Sequence, residues 1–225
     1  VKLVSTNRRR TFQSGVALIY GLLPKFDLSK IEVHTAINAG MCVDSPDSKF
    51  PCNCDAVKDL HDIISSTFGQ THPNMTDQKG YKEHYNKIAQ IFGVESHNVP
   101  RASHIMDVGM VAMCHDLPLP GRSKECMDSS SLHYVVNAIN NNGLAHATSG
   151  PFLRMARLRM LPLLNQIYQG MMDKISGKTD NKLVVYSGHD STIDPFLVAL
   201  NMSGGIWPMY ASRVTTELYS TRDSH

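Results

Sequence analysis

The sequence lacks any apolar run close to the about 18 residues that a membrane-spanning helix needs. Its longest apolar stretches are interrupted by Gly, Pro or charged residues, so we expect no membrane contact from this portion of the protein. It also lacks a charge excess, because 22 basic and 20 acidic side chains leave a formal charge of +2. Such a balance gives no basis for expecting a nucleic acid partner.

What the chain has is enough length and apolar content for a substantial core: 225 residues, of which 42% are hydrophobic. We expect one domain, or one domain with a large insertion. The first residue is Val1 and no signal-peptide pattern follows it, which predicts either a removed signal segment or a fragment. We favour a fragment that begins in the middle of the protein.

Five cysteines fall into a local trio, Cys42, Cys52 and Cys54, and a local pair, Cys114 and Cys126. Two Asn-x-Ser/Thr acceptors, at Asn74 and Asn201, accompany them. Together they favour an oxidising compartment and structural disulfides, whose pairing and glycan occupancy stay open. A zinc site is the weaker alternative, since Cys52 and Cys54 are closer than the usual ligand spacing.

Two strand-loop-helix patterns stand far apart in the sequence. In the first, a β-forming segment at 1–6 precedes a polar turn at 7–10, an apolar-periodic helix from Thr11 to Pro24 and a short strand near 31–34. In the second, a helix over 152–172 precedes an apolar strand at 183–186, a loop with His189 and Asp190, and a helix over 192–200. A last strand is predicted over 213–219.

Between these patterns the character changes, with amphipathic stretches at 56–68, 81–92 and 105–114 among Cys, Pro and Asn residues. The sequence therefore predicts an α/β fold with a largely parallel sheet and flanking helices. Its core is assigned to residues 1–35 and 145–225, without the first strand, and a mainly helical insertion with clustered cysteines to 36–144.

Both loops place charged residues just past the carboxyl end of a strand, where open α/β sheets bind ligands. Arg10 suits a phosphate group, since its guanidinium fork makes two charge-assisted hydrogen bonds. His189 and Asp190 supply a donor for phosphoryl oxygens and an acid for a leaving alkoxide. The competing interpretation is structural, with His189 ending the strand and Asp190 capping the next helix.

The segment from Arg10 to Gly15 resembles the second arginine motif of the histidine acid phosphatases, and the segment from Tyr186 to Ile193 resembles their late His-Asp motif. The resemblance covers nearly the whole chain. Within this family it is most similar to the branch that removes a phosphate from xylose in the glycosaminoglycan linkage region, a Golgi enzyme type. It implies a phosphoglycerate mutase-like fold and a phosphomonoester, such as a phosphorylated sugar, as substrate.

Carried over to this sequence, the resemblance implies that Arg10 binds phosphate, that His189 contacts the phosphoryl group and that Asp190 is the proton donor. It implies a phosphohistidine intermediate and neither a metal ion nor an organic cofactor. The family's nucleophile belongs to an Arg-His-Gly-x-Arg motif that these residues do not contain. We therefore expect negligible turnover by the isolated chain, and we assign no role to Arg8, Arg9 or the other histidines.

Two alternatives stay open. The first is an inactive lumenal protein of the same family that binds phosphate or glycan without turnover. The second is an intracellular phosphosugar mutase relative, which fits the cysteine clusters and glycosylation acceptors poorly. Oligomeric state and physiological substrate are not readable from the sequence.

Overall fold

The structure is a computed structural model that describes residues 1–36, 41, 54–71, 80–95, 99, 102–122 and 125–220. These residues form two compact units. The first takes the described residues of Val1–His61, Gly150–Ser203 and Pro208–His225, and the second those of Asp62–Ser149 and Gly204–Trp207. The boundaries predicted at 35/36 and 144/145 stay a prediction.

The first unit is built on a three-stranded parallel sheet. Its strands are β1 (Lys2–Thr6), β2 (Glu32–Ala36) and β5 (Val184–Ser187), in the order β2-β1-β5. Val4 of the central strand is level with His34 on one side and Tyr186 on the other. Because all three strands run the same way, their carboxyl ends lie along one edge of the sheet.

Helix α1 (Arg9–Leu22) connects β1 to β2 and packs on the sheet through a small apolar core. Leu3, Ile19 and Val185 are buried there. Gly15 allows the close approach, since a Cβ at this position would lie 2.6 Å from Leu3 Cδ1 and 3.0 Å from Ser187 Cβ. A side chain at position 15 would therefore push the helix away from the sheet.

Two further helices complete the first unit, α6 (Gly150–Ile175) and α7 (Asp190–Ala199). They pack against each other, and buried Met160 and Phe196 are among the apolar side chains that these helices bury. The Arg157 Nε–H also donates to the Ala199 carbonyl over 3.3 Å. This contact ties α6 to the carboxyl end of α7.

The second unit is mainly helical, as predicted for this part of the chain. It contains most of α2 (Asp55–Thr71), then α3 (Tyr81–Phe92), α4 (Ala102–Cys114) and α5 (Ser129–Ala147). A short antiparallel pair, β3 (Gly121–Arg122) and β4 (Glu125–Cys126), precedes α5. Its core includes Ile88, Ile105, Met106, Leu132 and Val135, all buried.

The structure confirms the predicted α/β class and the parallel sheet, and it has helices at the segments predicted near 11–24, 56–68, 81–92, 105–114, 152–172 and 192–200. Helix α5 was not predicted, and two further local expectations are corrected. Arg10 lies in the first turn of α1, because the helix begins at Arg9 and not after the arginines. The strand expected over 213–219 is not formed, although its residues alternate as a strand would. These residues are exposed and hydrogen-bond to no strand among the described residues, and a strand needs a partner.

Candidate functional site

The carboxyl ends of the adjacent strands β1 and β5 bring the two sequence motifs together. β1 ends at Thr6 and leads through Asn7 and Arg8 into α1. β5 ends at Ser187 and leads through Gly188 and His189 into α7. The helix N-termini thus begin next to each other, and the free N–H groups of a helix N-terminus favour an anion.

Arg10 and His189 meet at this edge although 179 positions separate them in the sequence. Arg10 Nη2 lies 3.3 Å from His189 Nδ1. Arg10 is exposed and His189 is half-buried, so both side chains are accessible from solvent. The structure therefore places two of the three predicted site residues side by side.

Behind His189 lies a group of buried hydroxyls that the sequence analysis did not single out. Thr6 Oγ1 is 3.0 Å from His189 Nε2 and 2.8 Å from Thr11 Oγ1. The Thr11 hydroxyl also contacts the Arg8 carbonyl at 2.8 Å. Thr6 and Thr11 are only 2% and 4% exposed. Both contacting atoms of the His189 ring, Nδ1 and Nε2, are therefore held by protein side chains.

The surroundings of His189 favour its neutral form. Partial burial lowers the pKa of His189 below its usual range, and the positive charges of Arg10 and, more weakly, Arg8 lower it further. The carboxylate of Asp190 opposes this effect without cancelling it. Arg8, left without a role from the sequence, thus acts electrostatically on the site.

Asp190 begins α7, directly after the N-cap residue His189. Its Oδ1 accepts the backbone N–H of Ser191 over 2.7 Å, and its side chain is exposed. One turn further on, burial and the charge of Asp190 raise the pKa of Asp194. The N-cap of α7 is His189 and not Asp190, so the cap that the structural alternative assigned to Asp190 lies one residue earlier.

Gly188 keeps the loop before α7 tight. A Cβ on this residue would lie 3.0 Å from Thr192 Oγ1 and 3.1 Å from the sulfur of buried Met41. The His189 N–H donates to Thr192 Oγ1 over 3.3 Å, which fixes the backbone that carries the imidazole. The close packing around Gly188 therefore determines where the ring of His189 is placed.

No acidic residue in the first turn of α1 compensates the positive charges of Arg8 and Arg10. Three consecutive arginines at a helix N-terminus oppose the helix dipole, so an anion bound there would relieve that repulsion. A guanidinium fork next to an imidazole matches a tetrahedral oxyanion with several acceptor oxygens. This edge thus has the donor groups that an anion site needs, with the carboxyl group of Asp190 at its border.

The family model for the histidine phosphatase superfamily (branch 2) matches residues 1–225. The chain belongs to this superfamily. Among its relatives, 2-phosphoxylose phosphatase 1 of Xenopus tropicalis is 28% identical over 96% of this chain and 41% of its own length. The human protein of that name is 26% identical over 98% of this chain and 44% of its own. Lysophosphatidic acid phosphatase type 6 of Bos taurus is 26% identical over 98% of this chain and 48% of its own.

This membership confirms the family resemblance and the phosphoglycerate mutase-like α/β fold expected from the sequence motifs. The chain spans less than half the length of these relatives. The activity of the whole histidine phosphatase therefore belongs to the proposal that follows.

The predictions of disulfides, glycosylation and a metal site rest partly on residues outside the described ranges. Cys54, Cys114 and Cys126 are exposed and free, whereas Cys42, Cys52 and the acceptor Asn74 lie outside the described residues. Disulfides thus stay a prediction. Within the described ranges, no group of three or more His, Cys, Asp or Glu side chains is placed to hold a metal ion. None of the described helices is long and apolar enough to cross a membrane.

Proposed function

We propose that the protein is a phosphomonoesterase of the histidine phosphatase superfamily and that this chain supplies its phosphate-binding and acid groups. The observation that carries the proposal is the contact between Arg10 and His189 at the carboxyl ends of adjacent parallel strands. Arg10 binds the phosphoryl oxygens, His189 contacts the same group, and Asp190 protonates the departing alcohol. In the same account, a histidine outside these residues attacks phosphorus and forms a phosphohistidine.

The proposed substrate is a phosphorylated sugar, with 2-phosphoxylose in the glycosaminoglycan linkage region as the specific candidate. Its support is the names and coverage of the two 2-phosphoxylose phosphatases described above. The lysophosphatidic acid phosphatase, at similar identity, makes a phosphorylated lipid the substrate to compare with it. Relative kcat/KM for the two phosphomonoesters decides between them.

We place the protein in the lumen of the secretory pathway, in the Golgi or outside the cell. The clustered cysteines and the acceptor at Asn201 support this location. Asn201 lies in the exposed turn after α7 with a φ of 57°, where a glycan would meet solvent. Loss of mass after enzymatic removal of N-glycans would support the location, and a smaller loss in Asn201→Gln would assign a glycan to this acceptor, since Asn74 is the other one.

The test of the enzymatic proposal is hydrolysis of a generic phosphomonoester at acidic pH by the full-length protein. We expect Asp190→Asn to lower kcat by about 100- to 10,000-fold, because the leaving alkoxide loses its acid. Arg10→Ala should lower kcat/KM by about 100-fold or more, because charge on the phosphoryl oxygens is no longer neutralised.

The matched control is Arg9→Ala, which removes a neighbouring charge from α1 without touching the Arg10–His189 pair. It should keep activity within a few-fold of the unmodified protein. Phosphate binding through Arg10 without any turnover would overturn the enzyme and leave the inactive binding protein as the function. Turnover that is insensitive to both site variants would place the chemistry elsewhere.

A further inference from the structure

The contacts of His189 with Arg10 and with the buried Thr6 determine which nitrogen of the imidazole carries its proton. A guanidinium has N–H donors and no acceptor, so the contact with Arg10 Nη2 requires a lone pair on His189 Nδ1. A neutral ring with its lone pair on Nδ1 has its proton on Nε2. The Nε2–H then faces Thr6 Oγ1 at 3.0 Å, where a hydroxyl oxygen accepts it.

The hydrogen bonds behind Thr6 are consistent with this direction. Thr6 accepts from His189 and gives its own hydroxyl proton to Thr11 Oγ1 over 2.8 Å. Thr11 passes its proton to the Arg8 carbonyl, also over 2.8 Å. Each hydroxyl donates once and accepts at least once. If the imidazole carried its proton on Nδ1 instead, the Nδ1–H would face an N–H of Arg10, and two donors would oppose each other.

We propose that Thr6, together with Arg10, holds His189 in the Nε2–H tautomer and thereby couples phosphate binding to the protonation of His189. This inference rests on the proposed function for the identity of the anion. An oxygen of a phosphate dianion cannot bond to the lone pair on Nδ1. His189 can therefore donate to phosphate only after Nδ1 takes up a proton, while Nε2–H stays on Thr6.

The proton has a definite source and a definite destination. When the dianion binds, a proton from solvent goes to Nδ1, and the imidazolium donates through Nδ1 to phosphate and through Nε2 to Thr6. When the monoanion binds, its own proton moves to Nδ1 and no uptake from solvent is needed. The charged groups that face the ring are Arg8 and Arg10 from the start of α1 and Asp190 from α7.

Bound phosphate changes the balance among these groups. In the free protein Arg10 and Arg8 disfavour the imidazolium, whereas a dianion placed between Arg10 and His189 favours it. Thr6 is a positioning residue in this account, because it contacts the ring and not the anion. Its contribution is that the neutral ring cannot present Nδ1–H to phosphate.

The first test is histidine ¹⁵N NMR of the full-length protein at neutral pH, with the His189 signals assigned by their loss in His189→Gln. Without phosphate, His189 should show a protonated Nε2 and an unprotonated Nδ1. With inorganic phosphate, both nitrogens should be protonated. A free His189 that is protonated on Nδ1, or charged, would overturn the inference whether or not the protein hydrolyses phosphomonoesters.

The second test compares Thr6→Val with Thr6→Ser by calorimetry of phosphate binding in buffers of different ionisation enthalpy. The unmodified protein and Thr6→Ser should take up about one proton per dianion bound. Thr6→Val removes the acceptor of the Nε2–H, so the exposed Arg10 side chain can turn away and the ring can adopt the Nδ1–H tautomer. The proton uptake of this variant should then fall well below one.

A Thr6 that only supports packing would change the affinity and leave the proton stoichiometry unchanged, and that result would contradict the proposal. Folding of each variant is checked by its thermal transition, and the unmodified protein tests the tautomer on its own. If the tautomer is as proposed and no substrate is turned over, the proposed function fails while the positioning role of Thr6 stands.

Discussion

At the scale of single residues, the surroundings of His189 and Asp194 shift the protonation of both side chains. His189 is neutral because it is partly buried and faces two arginines. Asp190 is exposed at the start of α7, and Asp194, one turn later, is pushed toward its protonated form by burial and by Asp190. Like charges four residues apart on a helix repel each other, so this pair costs stability when both are ionised.

Asp194→Asn should therefore stabilise the protein at neutral pH. The folded state raises the pKa of Asp194, so between the usual and the raised value it holds a proton that the unfolded state has lost. Above the raised value the ionised carboxylate opposes folding, and the amide removes that opposition. The gain in the free energy of unfolding should shrink as the pH falls through the raised pKa toward about 4.

The comparison is urea unfolding at neutral and at acidic pH. Asp27→Asn serves as the contrasting variant, because hydrogen bonds from Ser29 lower the pKa of Asp27 and its carboxylate should not be destabilising. Destabilisation by Asp194→Asn at neutral pH would mean that the carboxylate makes a stabilising contact instead, and a gain of equal size at both pH values would not come from its charge.

At the scale of elements, the position of the site depends on how closely α1 lies on the sheet. Gly15→Ala adds a Cβ 2.6 Å from a carbon of Leu3, a side chain with no exposed surface. We expect a loss of about 1–3 kcal/mol in the free energy of unfolding from this overpacking. The shift of α1 should also weaken phosphate binding, since the helix carries Arg10.

Gly21→Ala in the same helix is the matched control, because nothing lies within 4 Å of its added Cβ. Alanine is the better helix former, so this variant should be neutral or more stable by up to about 1 kcal/mol. Thermal or chemical unfolding of both variants measures the contrast. If both variants gain stability, the close contact of α1 with Leu3 is not a constraint.

The start of α5 offers an element-scale test in the second unit. Asp128 pairs with Lys87 and also accepts the Ser131 N–H over 2.7 Å, and these contacts, Lys87 first, lower its pKa to about 2. Asp128→Ala should cost about 1 kcal/mol at neutral pH, whereas Asp128→Asn, which can still cap the helix, should cost less.

The pH dependence of that loss follows from the lowered pKa of Asp128. The stabilisation is present above its usual value of 3.8 and disappears as the pH falls through about 2. Unfolding of the alanine variant at neutral and at strongly acidic pH measures the difference. A loss that does not diminish in acid would assign the effect to something other than the carboxylate.

At the scale of the whole molecule, the sequence predicted the elements that have strong apolar periodicity. The apolar run at 183–186 and three helices of the second unit, near 56–68, 81–92 and 105–114, were predicted because their patterns are local, whereas α5 was not predicted as a separate helix. The segment 213–219 alternates equally well but forms no strand, since alternation cannot show whether a partner strand is present. Pairing between distant segments is what local patterns do not contain.

The site residues were also predictable only where the signal lies in a local stretch of sequence. Arg10, His189 and Asp190 follow from charged residues at strand ends together with the family motifs. Thr6 and Thr11 were missed because small hydroxyl residues are common at strand ends and helix starts. The one available signal was the polar pair Ser5-Thr6, which directly follows the apolar residues Leu3 and Val4 in β1. Only the pairing of β1 with β5 shows that Thr6 faces His189.

The central claim is that Arg10 and His189, 179 positions apart, bind one phosphate. A double-mutant cycle of phosphate binding by the full-length protein tests it most directly, with Arg10→Ala, His189→Ala and the double variant, and Arg9→Ala as control. We predict a tenfold or greater weakening for each single variant and a coupling energy of about 1 kcal/mol or more. Effects that add within about 0.5 kcal/mol, or variants that bind as tightly as the unmodified protein, would contradict a shared phosphate site.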